Sequence, residues 1–183
     1  QFPYARGKVS GGCSSVNGCI SLRGLKQDFR QWASLGNEGW DWDDILPLYK
    51  RIEKDLDFGS SSYHGSAGRI PITRFKPEEY SHVVSAFKTT AMGNGYAWVP
   101  DHNHPRGYDG VGPIPMNRSG DGSLRVSSSI AYLLEAQTRP NLTIKDHTNV
   151  ARILFSGKRA TGVESINASG GIEVYSGGEI IIS

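Results

Sequence analysis

The residues best suited to a chemical task are Arg6-Gly7-Lys8-Val9-Ser10-Gly11-Gly12-Cys13-Ser14-Ser15-Val16-Asn17-Gly18. Paired glycines let a backbone approach a ligand closely and adopt φ angles that other residues avoid. Successive main-chain N–H groups in such a loop can meet phosphate or carbonyl oxygens. Asn17 can donate and accept in the same small space. An ordinary Gly/Ser surface loop with no ligand has the same composition, and a lone glycine-rich loop does not separate the two readings. A second candidate is Asp101-His102-Asn103-His104. Two histidines at i, i+2 can ligate one ion on an irregular segment, but a site needs three or four ligands, and no metal site is assigned. Cys13 has no paired base nearby and is not expected to be a nucleophile. His64, His82 and His147 are isolated, so structural or surface roles are the default.

The elements that must position these residues follow from periodicity and punctuation. Phe29, Trp32 and Ala33 recur at helical spacing over 26–35, and Gly36 stops that helix. Asp41 or Asp43 caps a second helix, with Pro47 tolerated near its first turn and Ile45, Leu48, Tyr49 and Ile52 on one face. Residues 55–68 read as loop. Residues 69–75 alternate as a strand, which Pro71 makes an edge or irregular one. Pro77, with Glu78 and Glu79 behind it, opens a third helix whose buried stripe is Val83, Val84, Phe87 and Ala91. Residues 93–126 form a long ordered loop system with a short strand near 111–116, and such loops are usually functional. Ser127 or Ser128 caps a short helix through Ala136. The remainder reads as four strands, 142–145, 151–155, 160–166 and 172–182, joined by glycine turns.

The bulk properties narrow the function classes. A chain of 183 residues with a formal net charge of +2 can bury a real core, and it carries no basic run or acidic tail to suggest nucleic acid or a membrane surface. No apolar run approaches the ~20 residues of a transmembrane helix. Cys13 and Cys19 are the only cysteines, which is no disulfide framework. The start, Gln1-Phe2-Pro3-Tyr4, lacks the features of a signal peptide. It also lacks an initiator Met, so the chain is expected to begin inside a longer product. The compartment is not assigned, with the cytoplasm favoured.

Several motifs, in order, resemble the glucose–methanol–choline (GMC) oxidoreductases. Gly11-Gly12-Cys13-Ser14, Asn17 and Arg23-Gly24 resemble the family's N-terminal signature. Asp28, Trp32, Gly36-Asn37 and Gly39-Trp40, then Asp43, Leu46 and Tyr49, resemble its next stretch. His64-Gly65-Ser66-Ala67-Gly68 is similar to its "HG..G" turn. Arg125, Ser127, Ala131-Tyr132-Leu133 and Asn141-Leu142 are similar to its "R.S…AYL…NL" run. Arg152-Ile153-Leu154-Phe155 and Gly157 through Val163 are similar to a hairpin. Together they span essentially the whole chain.

The resemblance implies an α+β fold, a fragment of an FAD-binding domain plus part of the antiparallel-sheet substrate domain. It implies a single partial segment: flavin-lining loop and helices over 1–55, substrate-side strands, helix and loops over 56–136, and a β-meander of the FAD-binding domain over 137–183. It places the cofactor contacts on Gly12, Cys13, Asn17, Gly18, Cys19, Ile20 and Val150. Val16 stands where covalently flavinylated members carry His, so non-covalent FAD is implied. It makes 101–104 part of a substrate-side loop, a solvated loop or crevice wall. The dinucleotide-binding Gly-x-Gly-x-x-Gly lies before this segment in the family, and the catalytic His and its partner lie after it. None of the five histidines is therefore assigned as the base. The implied reaction is oxidation of a small-molecule alcohol, with hydride transfer to flavin N5. The N- and C-terminal remainder of the enzyme is the implied partner, and the isolated chain is expected to be inactive. An FAD-containing lyase on the same scaffold and a non-catalytic binding module are the alternatives.

Overall fold

A computed structural model describes residues 2–107 and 109–183. They form two compact units, one ending at Ala136 and one beginning at Gln137.

In the first unit, helix α1 (Lys26–Ser34) opens where the Asp28 carboxylate accepts the Leu25 N–H at 3.0 Å, and Gly36, at φ 92°, follows its end. Helix α2 (Trp42–Ile52) is capped by Asp41, whose carboxylate accepts the Asp43 N–H at 3.3 Å. Pro47 is the sixth residue of α2, deeper than expected. It removes one helical N–H, and α2 is held in place by aromatic packing. Phe29 is buried within ring-contact distance of Trp42 and Tyr49 of α2, at 5.9 and 6.1 Å between centroids, and such pairs contribute beyond their buried area.

Helix α2 runs directly into β1 (Glu53–Asp55), which pairs in parallel with β2 (Ile70–Ile72). The expected strand over 69–75 is thus shortened, and β1 was not foreseen. The connecting loop is held by the Asp55 carboxylate, which accepts the N–H groups of Asp57 and Phe58 at 2.9 and 2.8 Å. Gly65 has no room for a side chain, because a Cβ there would overlap the Lys50 carbonyl oxygen.

Pro77–Glu79 is a separate 3₁₀ turn, and helix α3 (His82–Gly93) starts anew at Ser81, whose Oγ accepts the Val84 N–H at 3.3 Å. Extended backbone at Tyr80 and Ser81 separates the two. The stripe expected to be buried on α3 is not: Val83 and Phe87 are 79% and 64% exposed. Helical periodicity specifies a face to be covered, not the segment that covers it. Strand β3 (Ala97–Trp98) pairs in parallel with β4 (Gly110–Val111). The strand expected near 111–116 therefore ends early, and Met116 instead bridges to Ile20 and Thr73. A helical segment, π-wound over Ser129–Leu133 and α-helical over Leu134–Ala136, follows Ser127, whose Oγ accepts the Ile130 N–H at 3.4 Å.

The second unit is an antiparallel meander of β5 (Asn149–Ser156), β6 (Arg159–Ile166) and β7 (Ile172–Ser176), in that spatial order. Glycines at positive φ, Gly157 and Gly170, lie in the two turns. Two expectations fail here. Residues 142–145 form no strand, and Ile144 is about half exposed. The last strand stops at Ser176, where Gly177 and Gly178 interrupt it. Mixed helix and sheet is the fold class expected. Among the described residues no helix is long and apolar enough to cross a membrane.

Candidate functional site

The glycine loop is fastened on one side and open on the other. Gly12–Ser15 make one 3₁₀ turn. The Ser14 Oγ accepts the Ser128 N–H at 3.0 Å, and the Arg125 guanidinium donates to the Ser14 carbonyl at 3.2 Å and to Asn17 Oδ1 at 2.8 Å. Arg125 and Ser128 thus clamp the loop from a distant part of the sequence. Gly11 and Gly12 both have positive φ, 86° and 53°. A Cβ at Gly11 would lie 2.5 Å from Ser15 Oγ and 3.1 Å from the Ser129 nitrogen, whereas at Gly12 it would meet nothing within 4 Å. Gly11 therefore faces protein and Gly12 faces open space.

Beyond the turn, Cys19 is buried and holds φ 60°, uncommon outside glycine. It is fixed by its N–H donating to Asn17 Oδ1 at 2.9 Å and by its carbonyl accepting the Asn117 N–H at 2.8 Å. Both bonds to Asn17 use its carbonyl oxygen, which leaves the amide NH2 as a donor. Cys13 is exposed, and its sulfur accepts the Gly7 N–H at 3.4 Å. Val16 and Ile20 are 61% and 51% exposed. The structure brings Gly12, Cys13, Asn17, Gly18, Cys19 and Ile20 onto one continuous segment. Val150 lies on β5 of the second unit, about half exposed. A segment with bare backbone open at Gly12 and a free amide donor at Asn17 is chemically compatible with a carbonyl- and phosphate-bearing cofactor such as FAD.

A second assembly lies next along the chain. The His64 imidazole is fully buried. Its Nδ1 lies 2.8 Å from Glu53 Oε1 and 3.1 Å from Asp55 Oδ2, and its Nε2 lies 3.0 Å from Asp101 Oδ2. Arg23 pairs with Glu53 and donates to the Tyr63 carbonyl at 2.8 Å. Arg74 donates to Asp55 at 3.1 Å, to Asp57 at 3.3 Å and to Asp101 at 2.8 Å. Burial disfavours the charged imidazole, but the carboxylates of Asp101 and Glu53 outweigh it and raise the His64 pKa above its ordinary 6.5. Burial likewise disfavours the Glu53 and Asp101 carboxylates. Hydrogen bonding from His64, with help from the Gly65 N–H and Arg23 for Glu53 and from Arg74 for Asp101, lowers both pKa values nonetheless.

Glu53, Asp55 and His64 lie close enough to share a metal ion. The positive charge is already supplied, however: Arg74 occupies Asp55, and Arg23 Nη2 sits 3.2 Å from His64 Nδ1. With His64 as an imidazolium, Arg23, Arg74 and His64 balance Glu53, Asp55 and Asp101. That balance is what a low-dielectric interior requires.

His64 is therefore not isolated. Asp101 and Asn103, expected in a solvated loop or crevice wall, are buried at 4% and 3% exposure. Asn103 Oδ1 accepts the Arg23 N–H and its Nδ2 donates to the Ser21 carbonyl, both at 2.9 Å. The crevice-wall reading holds for His102 and His104, which line a cavity of about 600 Å³ with Lys26 and Arg30. A second cavity of about 550 Å³, mostly apolar, is bounded by Gly18, Ile20, Phe87, Trp98 and Met116. The ionic cluster was missed because its members are dispersed along the chain. The one local signal was Glu53 and Asp55 flanking Lys54 in a strand, with the carboxylates buried and the lysine exposed.

Residues 1–183 match the family model described as GMC oxidoreductase. The chain is 35% identical over 175 residues to 5-(hydroxymethyl)furfural oxidase of Methylovorus sp. (strain MP688), covering 95% of this chain and 32% of that protein. It is 34% identical over 179 residues to oxygen-dependent choline dehydrogenase of Photobacterium profundum, covering 97% and 31%. An FAD-dependent oxidoreductase from Chaetomium thermophilum superposes with a TM-score of 0.83 at 27% identity, over 94% of this chain and 31% of that one. The chain spans about a third of the length of the curated relatives it matches.

Proposed function

Because the chain belongs to the GMC oxidoreductase family, we propose that it is the flavin-lining part of an FAD-dependent enzyme that oxidises the CH–OH group of a small alcohol. The observation that carries this reading is the asymmetry of the glycine pair. Gly11 is packed on protein, while Gly12 presents bare backbone to open space. FAD, when bound, supplies the hydride acceptor.

Gly12, Cys13, Asn17, Gly18, Cys19 and Ile20 form the surface against which the flavin lies, and Val150 supplies a backbone contact to the adenine. Asn17 contributes an NH2 donor whose orientation Arg125 and the Cys19 N–H fix. Val16 offers no atom for covalent attachment, so the cofactor is held non-covalently. The apolar cavity beside Gly18 and Ile20 supplies part of the wall that excludes water from the substrate. No residue here takes the alcohol proton. That base, and the dinucleotide-binding segment, belong to the rest of the enzyme, and the isolated chain does not turn over.

Titration of the full-length protein with FAD, followed by flavin fluorescence, tests the reading. Gly12→Val should weaken binding by about tenfold or more, and the 183-residue chain alone should bind FAD far more weakly than the full-length protein. Unchanged affinity in Gly12→Val, or tight binding by the isolated chain, would contradict it.

A further inference from the structure

We propose that His64 is a positioning residue for the flavin-lining backbone: acting through Asp101 and Asn103 on one side, and Glu53 and Arg23 on the other, it fixes Ser21–Arg23 and so sets where Gly18–Ile20 lie. The inference rests on the flavin-lining role proposed for residues 12–20.

The two routes are continuous chains of hydrogen bonds. On one, His64 Nε2 meets Asp101 Oδ2 at 3.0 Å, Asp101 Oδ1 accepts the Asn103 N–H at 3.0 Å, and the Asn103 amide spans the backbone by accepting from Arg23 N and donating to Ser21 O. On the other, His64 Nδ1 meets Glu53 Oε1, which also takes the Arg23 guanidinium and the Gly65 N–H. Ser21–Arg23 are thus held by main chain and side chain at once, and both holds converge on one imidazole. The Ser21 N–H in turn donates to the Pro115 carbonyl at 2.9 Å, which continues the register towards Ile20.

The groups facing His64 decide its ionic form. Glu53 and Asp55 come from β1, Asp101 from the loop after β3, Arg23 from the segment before α1, and Tyr63 from its own loop; Arg74, after β2, bridges Asp55 and Asp101. Carboxylates flank both ring nitrogens, so both are met as donors. The contact with Arg23 at 3.2 Å is the one that opposes the ring proton. A neutral ring would leave the buried set with one negative charge in excess, a costly arrangement in low dielectric.

Two measurements on the full-length protein test the proposal. With ¹⁵N-histidine labelling, His64 should show the imidazolium pattern at pH 7. Asn103→Ala leaves the ionic cluster whole, with Arg23 still paired to Glu53, and removes only the side-chain bonds to the Ser21 carbonyl and the Arg23 N–H. With flavin bound, it should alter the visible circular dichroism of the flavin and slow flavin reduction about tenfold while KM changes less than about twofold. A purely structural role would leave the flavin signal and that kcat-against-KM split unmoved. If the protein holds no flavin, the functional reading fails, and the positioning claim is still decided by amide exchange. Exchange over 19–23 should rise about tenfold in Asn103→Ala, with 149–176 unchanged. A neutral His64 at pH 7 overturns the proposal, as does an Asn103→Ala protein with unaltered flavin dichroism and reduction or, without flavin, unaltered exchange over 19–23.

Discussion

The glycine loop and the ionic cluster meet at Ser21 and Leu22, which join Ile20 of the loop to Arg23 of the cluster, yet they are built in opposite ways. The loop is made of backbone, keeps one side open at Gly12, and is fastened by Arg125 and Ser128 from behind. The cluster is made of charged side chains, is closed to solvent, and tolerates no spare atom at Gly65. On the proposed role, a surface that receives a ligand keeps unoccupied space and main-chain groups. A frame that must hold that surface still uses directional bonds between groups that cannot be solvated elsewhere. Glycine serves both, as open approach at Gly12 and as tight packing at Gly65.

The contrast can be broken most severely at the frame. Replacing Arg74 by Met leaves Asp55 and Asp101 buried with one cation fewer, and should destabilise the full-length protein by about 3–5 kcal/mol in urea unfolding. Gly65→Ala comes next, at about 3 kcal/mol, because the added methyl meets the Lys50 and Glu53 carbonyls. Gly12→Ala sharpens the comparison: with no clash, only the positive φ is penalised, and the loss should be about 1 kcal/mol.

The pH dependence is smaller again, and its sign follows from the cluster. The raised His64 pKa contributes stability that is full below the unfolded value of 6.5 and is lost as pH rises through the folded value. The lowered pKa values of Glu53 and Asp101 contribute stability that is present above 4.5 and 3.8 and lost on acidification. The urea midpoint should therefore be highest between about pH 4.5 and 6.5 and decline on the alkaline side. His64→Gln should flatten that decline.

How much of this was readable in the sequence depended on the range of the interaction. Caps and stops are local, so α1 with Gly36 and α2 with Asp41 were legible, as was the β5–β6 hairpin around Gly157. The glycine loop was legible as a motif, but its clamp by Arg125 was not, because that bond joins residues over a hundred positions apart. The ionic cluster was illegible because its members are scattered over several separate segments, and because charged residues default to the surface. Pro77 looked like a helix start, but Ser81 supplied the stronger side-chain cap. The α3 stripe was read correctly as amphipathic and wrongly as buried, since Val83, Val84 and Phe87 are only partly covered by the described residues of their own unit.

The central claim is that FAD lies against the open side of residues 12–20. Hydrogen–deuterium exchange of the full-length protein, with and without FAD, measures this directly. Binding should protect amides over 9–20, while 53–74 in the ionic frame, already closed, should change little. Bound FAD with no added protection over 9–20 would contradict the account.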